Sequence, residues 1–164
     1  NSGGYMRRAV AILIVVLLIG CGGGVENNTP LPNSIQEMQL QKVIQGEEAD
    51  QVITNLHQKK VTDQQNYIGE YAGGDYDAKL YLTVYQHADS ALSDLNKMNQ
   101  RIQDPHVGGQ MGFQHTRKLT SMGEHVYMAL QNQRAHYFYV DGKHLYWLDV
   151  DPHVAMNAIK QLVQ

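Results

Sequence analysis

Eight histidines, one cysteine and sixteen acidic residues are the side chains of this 164-residue chain that could carry chemistry. Their spacing decides what they can do. A zinc centre needs three or four ligands converging at about 2 Å, usually with tight local spacing. The tightest groupings are Asp149-Val-Asp151-Pro-His153 and Asp104-Pro-His106. The other histidines, His57, His87, His115, His125, His136 and His144, are scattered along the chain. Asp151 has a simpler use as a helix cap, so no metal ligand is assigned and no cofactor is expected. None of Ser2, Ser34, Ser90, Ser93 and Ser121 stands in a strand-Gly-x-Ser-x-Gly-helix context. Gly22-Gly23-Gly24 and Gly108-Gly109 lack the lysine and helix start of a phosphate loop. Asp75 and Asp77 lie in a glycine-bearing turn, where Asp supports turn geometry. The chain reads as non-enzymatic.

The chemistry that the sequence does place is at Cys21. Arg7 and Arg8 precede eleven uncharged apolar residues, Ala9 to Ile19, and Gly20, Cys21 and three more glycines follow. A basic start, a short apolar run and small residues at a processing site make a secretory leader. The run is too short for a membrane span, which needs roughly 17–25 apolar residues. Leu18-Ile19-Gly20-Cys21 resembles the lipobox of bacterial lipoproteins. The resemblance implies cleavage between Gly20 and Cys21, a diacylglyceryl group on the Cys21 thiol and an acylated new amino terminus. Residues 1–20 are then the signal-peptide region, within which residues 1–5, ahead of the natural initiator Met6, are read as an upstream remnant.

Such processing leaves 144 residues, with 11 basic and 16 acidic side chains and a net charge near −5. That balance gives no support for nucleic-acid binding or for a polybasic membrane patch. The membrane is therefore expected to be engaged through lipid at Cys21 alone, more than one acyl chain being needed for stable anchoring. In enteric bacteria an aspartate after the lipidated cysteine resembles an inner-membrane retention signal. Gly22 stands there instead, so the expected location is the cell envelope, at the outer membrane facing the periplasm. With its one thiol used for lipid, the folded part must be stable without disulfides.

Stepwise changes in hydrophobic period mark the elements that would follow. Residues 21–33, rich in Gly, Asn and Pro, read as the lipidated cysteine and a flexible tether. A single domain spans 34–164. Ser34-Ile35-Gln36-Glu37 has capping-box form and predicts a helix start. A second helix is expected over Glu47–Lys60, with Ala49, Val52, Ile53 and Leu56 on one face. Strands are expected at Tyr67–Tyr71 and Lys79–Gln86, a helix at Ala88–Ile102, then strands at Phe113–Leu119, His125–Gln131, Arg134–Val140 and Lys143–Val150. Asp141-Gly142 predicts a two-residue hairpin turn that pairs Phe138 with Leu145 and His136 with Trp147. Asp151 as N-cap and Pro152 at the first position open a last helix. The expectation is an α+β fold, an antiparallel sheet of about five to six strands packed against helices in two layers. Strands followed by an amphipathic helix occur twice, a loose internal echo. The arrangement resembles small domains of unknown function found in many bacterial lipoproteins.

Ten tyrosines and one tryptophan concentrate on these strands. Tyr81 and Tyr85 alternate against Leu80, Leu82 and Val84, and Tyr137, Tyr139, His144 and Tyr146 share one face of the last hairpin. Tyrosine is amphipathic, and a cluster of it on a wet sheet face can bind a partner. These six residues form the expected binding face, serving an envelope protein partner. A small-ligand carrier with an aromatic-lined cavity between helices and sheet is the alternative, and a metal-dependent enzyme built from converging histidines a third.

Overall fold

The computed structural model describes residues 27–57 and 64–164. The signal peptide, the lipobox Leu18–Cys21 and the end of the expected Glu47–Lys60 helix lie outside the described residues. Strands β1 (Ser34–Ile35) and β2 (Met38–Gln45) lead to helix α1 (Glu47–His57). Strands β3 (Gln65–Gly73) and β4 (Tyr76–Val84) follow, then helix α2 (Ala88–Gln103). Strands β5 (Gln114–Lys118), β6 (Val126–Gln131), β7 (Arg134–Asp141) and β8 (His144–Val150) precede helix α3 (Ala155–Leu162). The eight strands form one antiparallel sheet, in the order β1-β2-β3-β4-β8-β7-β6-β5, curled into a half-barrel.

The α+β class stands, and the strand number is corrected from five or six to eight. The two extra strands replace the helix expected from the capping-box motif. Ser34–Ile35 and Met38–Gln39 pair as a hairpin around Gln36-Glu37, with Gln36 at φ +53°. Met38 and Leu40 are buried while Gln39 and Gln41 are exposed, a period of two that puts the apolar side chains on the inner face. Pairing with β3 satisfies the backbone here, and that long-range contact overrides a local helix signal. Gly46 then turns the chain into α1 at φ +65°, its carbonyl accepting from the Asp50 amide.

The last hairpin is tight but shifted from expectation. Asp141 pairs with His144, so Gly142 and Lys143 are the turn, and Phe138 lies opposite Trp147 rather than Leu145. Gly142 has φ +53° and Lys143 does not have positive φ. Glycine at the first central position is the type II′ solution, whereas Asp-Gly at both central positions would be type I′. The slip moves each partner by two residues, so the side-chain faces are unchanged. The helix that follows starts at Ala155, with Val154 as its N-cap, rather than at Pro152. The Asp151 carboxylate accepts from the His153 amide at 2.9 Å in the intervening turn.

The inner face holds the main core. Leu80, Leu82, Leu148, Tyr71, Tyr137 and Tyr139 pack there against Ile35 and Met38 and against Ala158 and Ile159 of α3. Gly69 makes room for this packing, because a Cβ there would sit 2.7 Å from the Tyr71 ring. Gln36 ties the β1–β2 turn to α3, its amide donating to Gln161 Oε1 at 2.7 Å and its side-chain amide to the Asn157 carbonyl at 3.0 Å. Residues 27–33 belong to this folded unit rather than to a tether. Leu31 is buried, and the Tyr71 hydroxyl donates to the Pro32 carbonyl at 2.9 Å. The outer face carries α1 over β2 and β3 and α2 over β7 and β8.

In the sheet, β1–β4 and β5–β8 are two meanders meeting at the β4–β8 pair. The helices do not repeat between the halves: α1 interrupts the first set of strands, and α2 lies on the outer face and α3 on the inner.

Candidate functional site

Register across the outer face sets three rows of side chains. Glu70, Lys79, Asp149 and His136 stand opposite one another on β3, β4, β8 and β7. One step along the strands, Ile68, Tyr81, Trp147 and Phe138 form an aromatic row, and beyond it Asn66, Thr83, Leu145 and Val140 form a third. Among the described residues the helices cover the ends of these rows and leave Tyr81 and Trp147, in the middle, half-buried. On a flat sheet, axes centred above β2–β3 and β7–β8 would be about three strand spacings apart, roughly 14 Å, whereas helices in contact sit roughly 8–10 Å apart. The result is a shallow furrow. Tyr81, Thr83, Leu145 and Trp147 make its floor, Ile53 and Leu56 of α1 one wall, and Met98 of α2 the other.

Several polar groups along the furrow are held by hydrogen bonds or ion pairs. The Thr83 hydroxyl donates to Asn66 Oδ1 at 2.8 Å, and the Asn66 amide donates to Asp50 of α1 at 2.8 Å, a chain that fixes α1 to the sheet through side chains only 4% and 2% exposed. At the other end Lys79 pairs with Glu70 at 3.1 Å, and that hydrogen bond raises the lysine above its ordinary value despite partial burial. Arg134 donates through Nε to Asp149 at 2.5 Å and through Nη1 to Asp77 at 2.9 Å. Burial works against the guanidinium charge, and the two carboxylates outweigh it. Tyr81 lies 5.5 Å from Trp147 with rings tilted by 41°, and burial raises its hydroxyl pKa. Beneath them the Trp147 indole donates to His136 Nδ1 at 3.0 Å.

The six residues expected to form one binding face are divided by the sheet. Tyr81 is on the furrow floor. Tyr85 shares its face but is covered by α2, where its hydroxyl donates to Asp94 at 3.0 Å and burial raises its pKa. Tyr137 and Tyr139 are in the inner core, 1% and 3% exposed, with burial raising both hydroxyls. Tyr146 stacks on Tyr139 at 4.7 Å and 11°, and His144 sits 6.0 Å from Tyr146, both partly exposed at the inner-face rim. The open tyrosine face is therefore corrected: α3 and the β1–β2 hairpin occupy the side on which it was expected.

Trp147, His136, Thr83, Asn66 and Arg134 were not singled out by sequence. Alternation put Trp147 and His136 on one face, but their nearness to Tyr81 and Lys79 depends on the β4–β8 pairing, which joins residues some seventy apart and leaves no local signal. Among the described residues no three His, Cys, Asp or Glu side chains gather as metal ligands. His106 and His153 each receive a local contact instead, their amides donating to Asp104 and Asp151. No helix among the described residues is long and apolar enough to cross a membrane. Comparison with family models, curated proteins and solved structures finds no match to this chain.

Proposed function

We propose that this chain is a lipid-anchored protein of a bacterial envelope whose domain binds, without catalysing a reaction, an extended segment of another envelope protein in the furrow over β4. The observation that carries the binding reading is the gap between α1 and α2. On the flat-sheet estimate it is roughly 4–6 Å wider than the space between packed helices, which suits one extended chain better than another helix. Its floor offers half-buried aromatic rings beside charges of both signs, which is the surface of a peptide site rather than of an anion or cation site. A carrier for a small ligand has less support at this site, because the furrow itself holds only about 10 Å³, room for roughly one water.

The anchoring reading rests on Arg7-Arg8, the apolar run and Leu18–Cys21. Acylation at Cys21 would hold the domain near its partner, so a weak contact would suffice. Gly22 supports the outer membrane, facing the periplasm.

A photo-crosslinking amino acid placed at Met98 in cells should give a discrete protein adduct, and the same group at the exposed Met156 of α3 should not. Equal adducts from both positions, or none from Met98, would remove the furrow reading. The anchor is tested separately: Cys21→Ala should move the protein out of the membrane fraction, and retention there would contradict acylation.

A further inference from the structure

We infer that His136 and Trp147 form an acid-sensitive latch under the furrow floor, in which neutral His136 holds the indole and a proton on Nδ1 releases it. An indole N–H can only donate, so the 3.0 Å bond from Trp147 requires Nδ1 to be an acceptor and places the imidazole proton on Nε2. The ring is 4% exposed, and Nε2 is buried without a hydrogen-bond partner. Aromatic edges enclose it, with Phe113 at 5.6 Å and 83° and Trp147 at 5.9 Å and 63°.

The surroundings favour the neutral form. Asp149 on β8 and Arg134 on the same strand as His136 are the charged groups that bear on it, and they are paired with each other at 2.5 Å, so their fields oppose. β6 contributes the main chain of Gln131. The buried groups of α2 at this cluster are Ala91, Leu95 and Ile102, and the segment before β5 adds Phe113. Burial dominates and holds the imidazole below its ordinary pKa, with Asp149 and the Gln131 main chain opposing. Protonation would set one N–H against another and leave a charge in an apolar cluster. Trp147 is only half-buried, so it has a way out into the furrow. The latch would make a furrow complex weaken in acid. It concerns the floor of the site proposed above, but the indole itself reports it, so either reading can fail alone.

Trp147 is the only tryptophan, which makes the test direct. On lowering pH, its emission should shift to the red and its near-ultraviolet circular dichroism should fall while the far-ultraviolet spectrum is unchanged. The midpoint should lie below the ordinary histidine value of about 6.5. In His136→Gln, whose side-chain oxygen can accept from the indole without titrating, the profile should be flat until global unfolding. A flat wild-type profile, or the same transition kept in His136→Gln, would overturn the latch. Should that variant fail to fold, the indole N–H resonance of the wild type decides: an unmoved signal down to acid unfolding refutes it, and a shift with faster solvent exchange at the same midpoint supports it.

Discussion

The inner and outer faces of this sheet use the same residue type for opposite ends. On the inner face Tyr71, Tyr137 and Tyr139 fill a continuous core closed by α3 and the β1–β2 hairpin. On the outer face Tyr81 lies half-buried on the floor between Ile53 and Leu56 of α1 and Met98 of α2. Strand propensity explains why tyrosine is on both. What separates a packing tyrosine from a presenting one is coverage, and coverage is set by where helices distant in sequence come to rest.

The sharpest way to test that contrast is to truncate one tyrosine on each side. Tyr139→Ala should cost about 3–5 kcal/mol, the range for deleting a large buried aromatic, whereas Tyr81→Ala should cost about 1–2 kcal/mol, since less of its surface leaves water. Urea unfolding midpoints measure both. Equal losses would erase the distinction between the faces. A smaller effect tests what holds α1 to its side of the furrow: Asn66→Ala removes the bridge between Thr83 and Asp50 and should destabilise by about 1–3 kcal/mol, with faster amide exchange in α1 than in α2. Uniform exchange would show that packing of Ala49 and Ile53 alone fixes the helix. The smallest effect belongs to the charged row. Lys79, with its side chain 46% exposed, should lose less than about 0.5 kcal/mol on replacement by Ala, and less again in high salt. A loss above 2 kcal/mol would mean that the outer face depends on its ion pairs as the inner one depends on its core.

Alternation in KLYLTVYQ and in the last hairpin made three strands and both sides of each readable from sequence, because burial on one face imposes a period of two; the other three expected strands were placed without their faces, and β5 shows no alternation at all. The helix at Ala88–Ile102 was readable for the same reason at its own period, and it is found at Ala88–Gln103. The β1–β2 hairpin was not, because Ser34-Ile35-Gln36-Glu37 satisfies a local helix rule and its strand character comes from β3, some thirty residues on. The furrow was half legible. Tyr81 was singled out, but its neighbour Trp147 reaches it only through the β4–β8 pair, and the residues read with it as one face were distributed to two.

The bonding of Asn27 has a further consequence. Its side-chain amide donates to the Leu31 carbonyl at 2.6 Å, and its oxygen accepts from the Thr29 amide at 3.0 Å, so the folded unit reaches back at least to Asn27, six residues after Cys21. Six residues reach at most roughly 20 Å. With Cys21 acylated as proposed, the leash is shorter than the domain is wide. The module would hug the lipid surface and could meet only partners that come equally close to it.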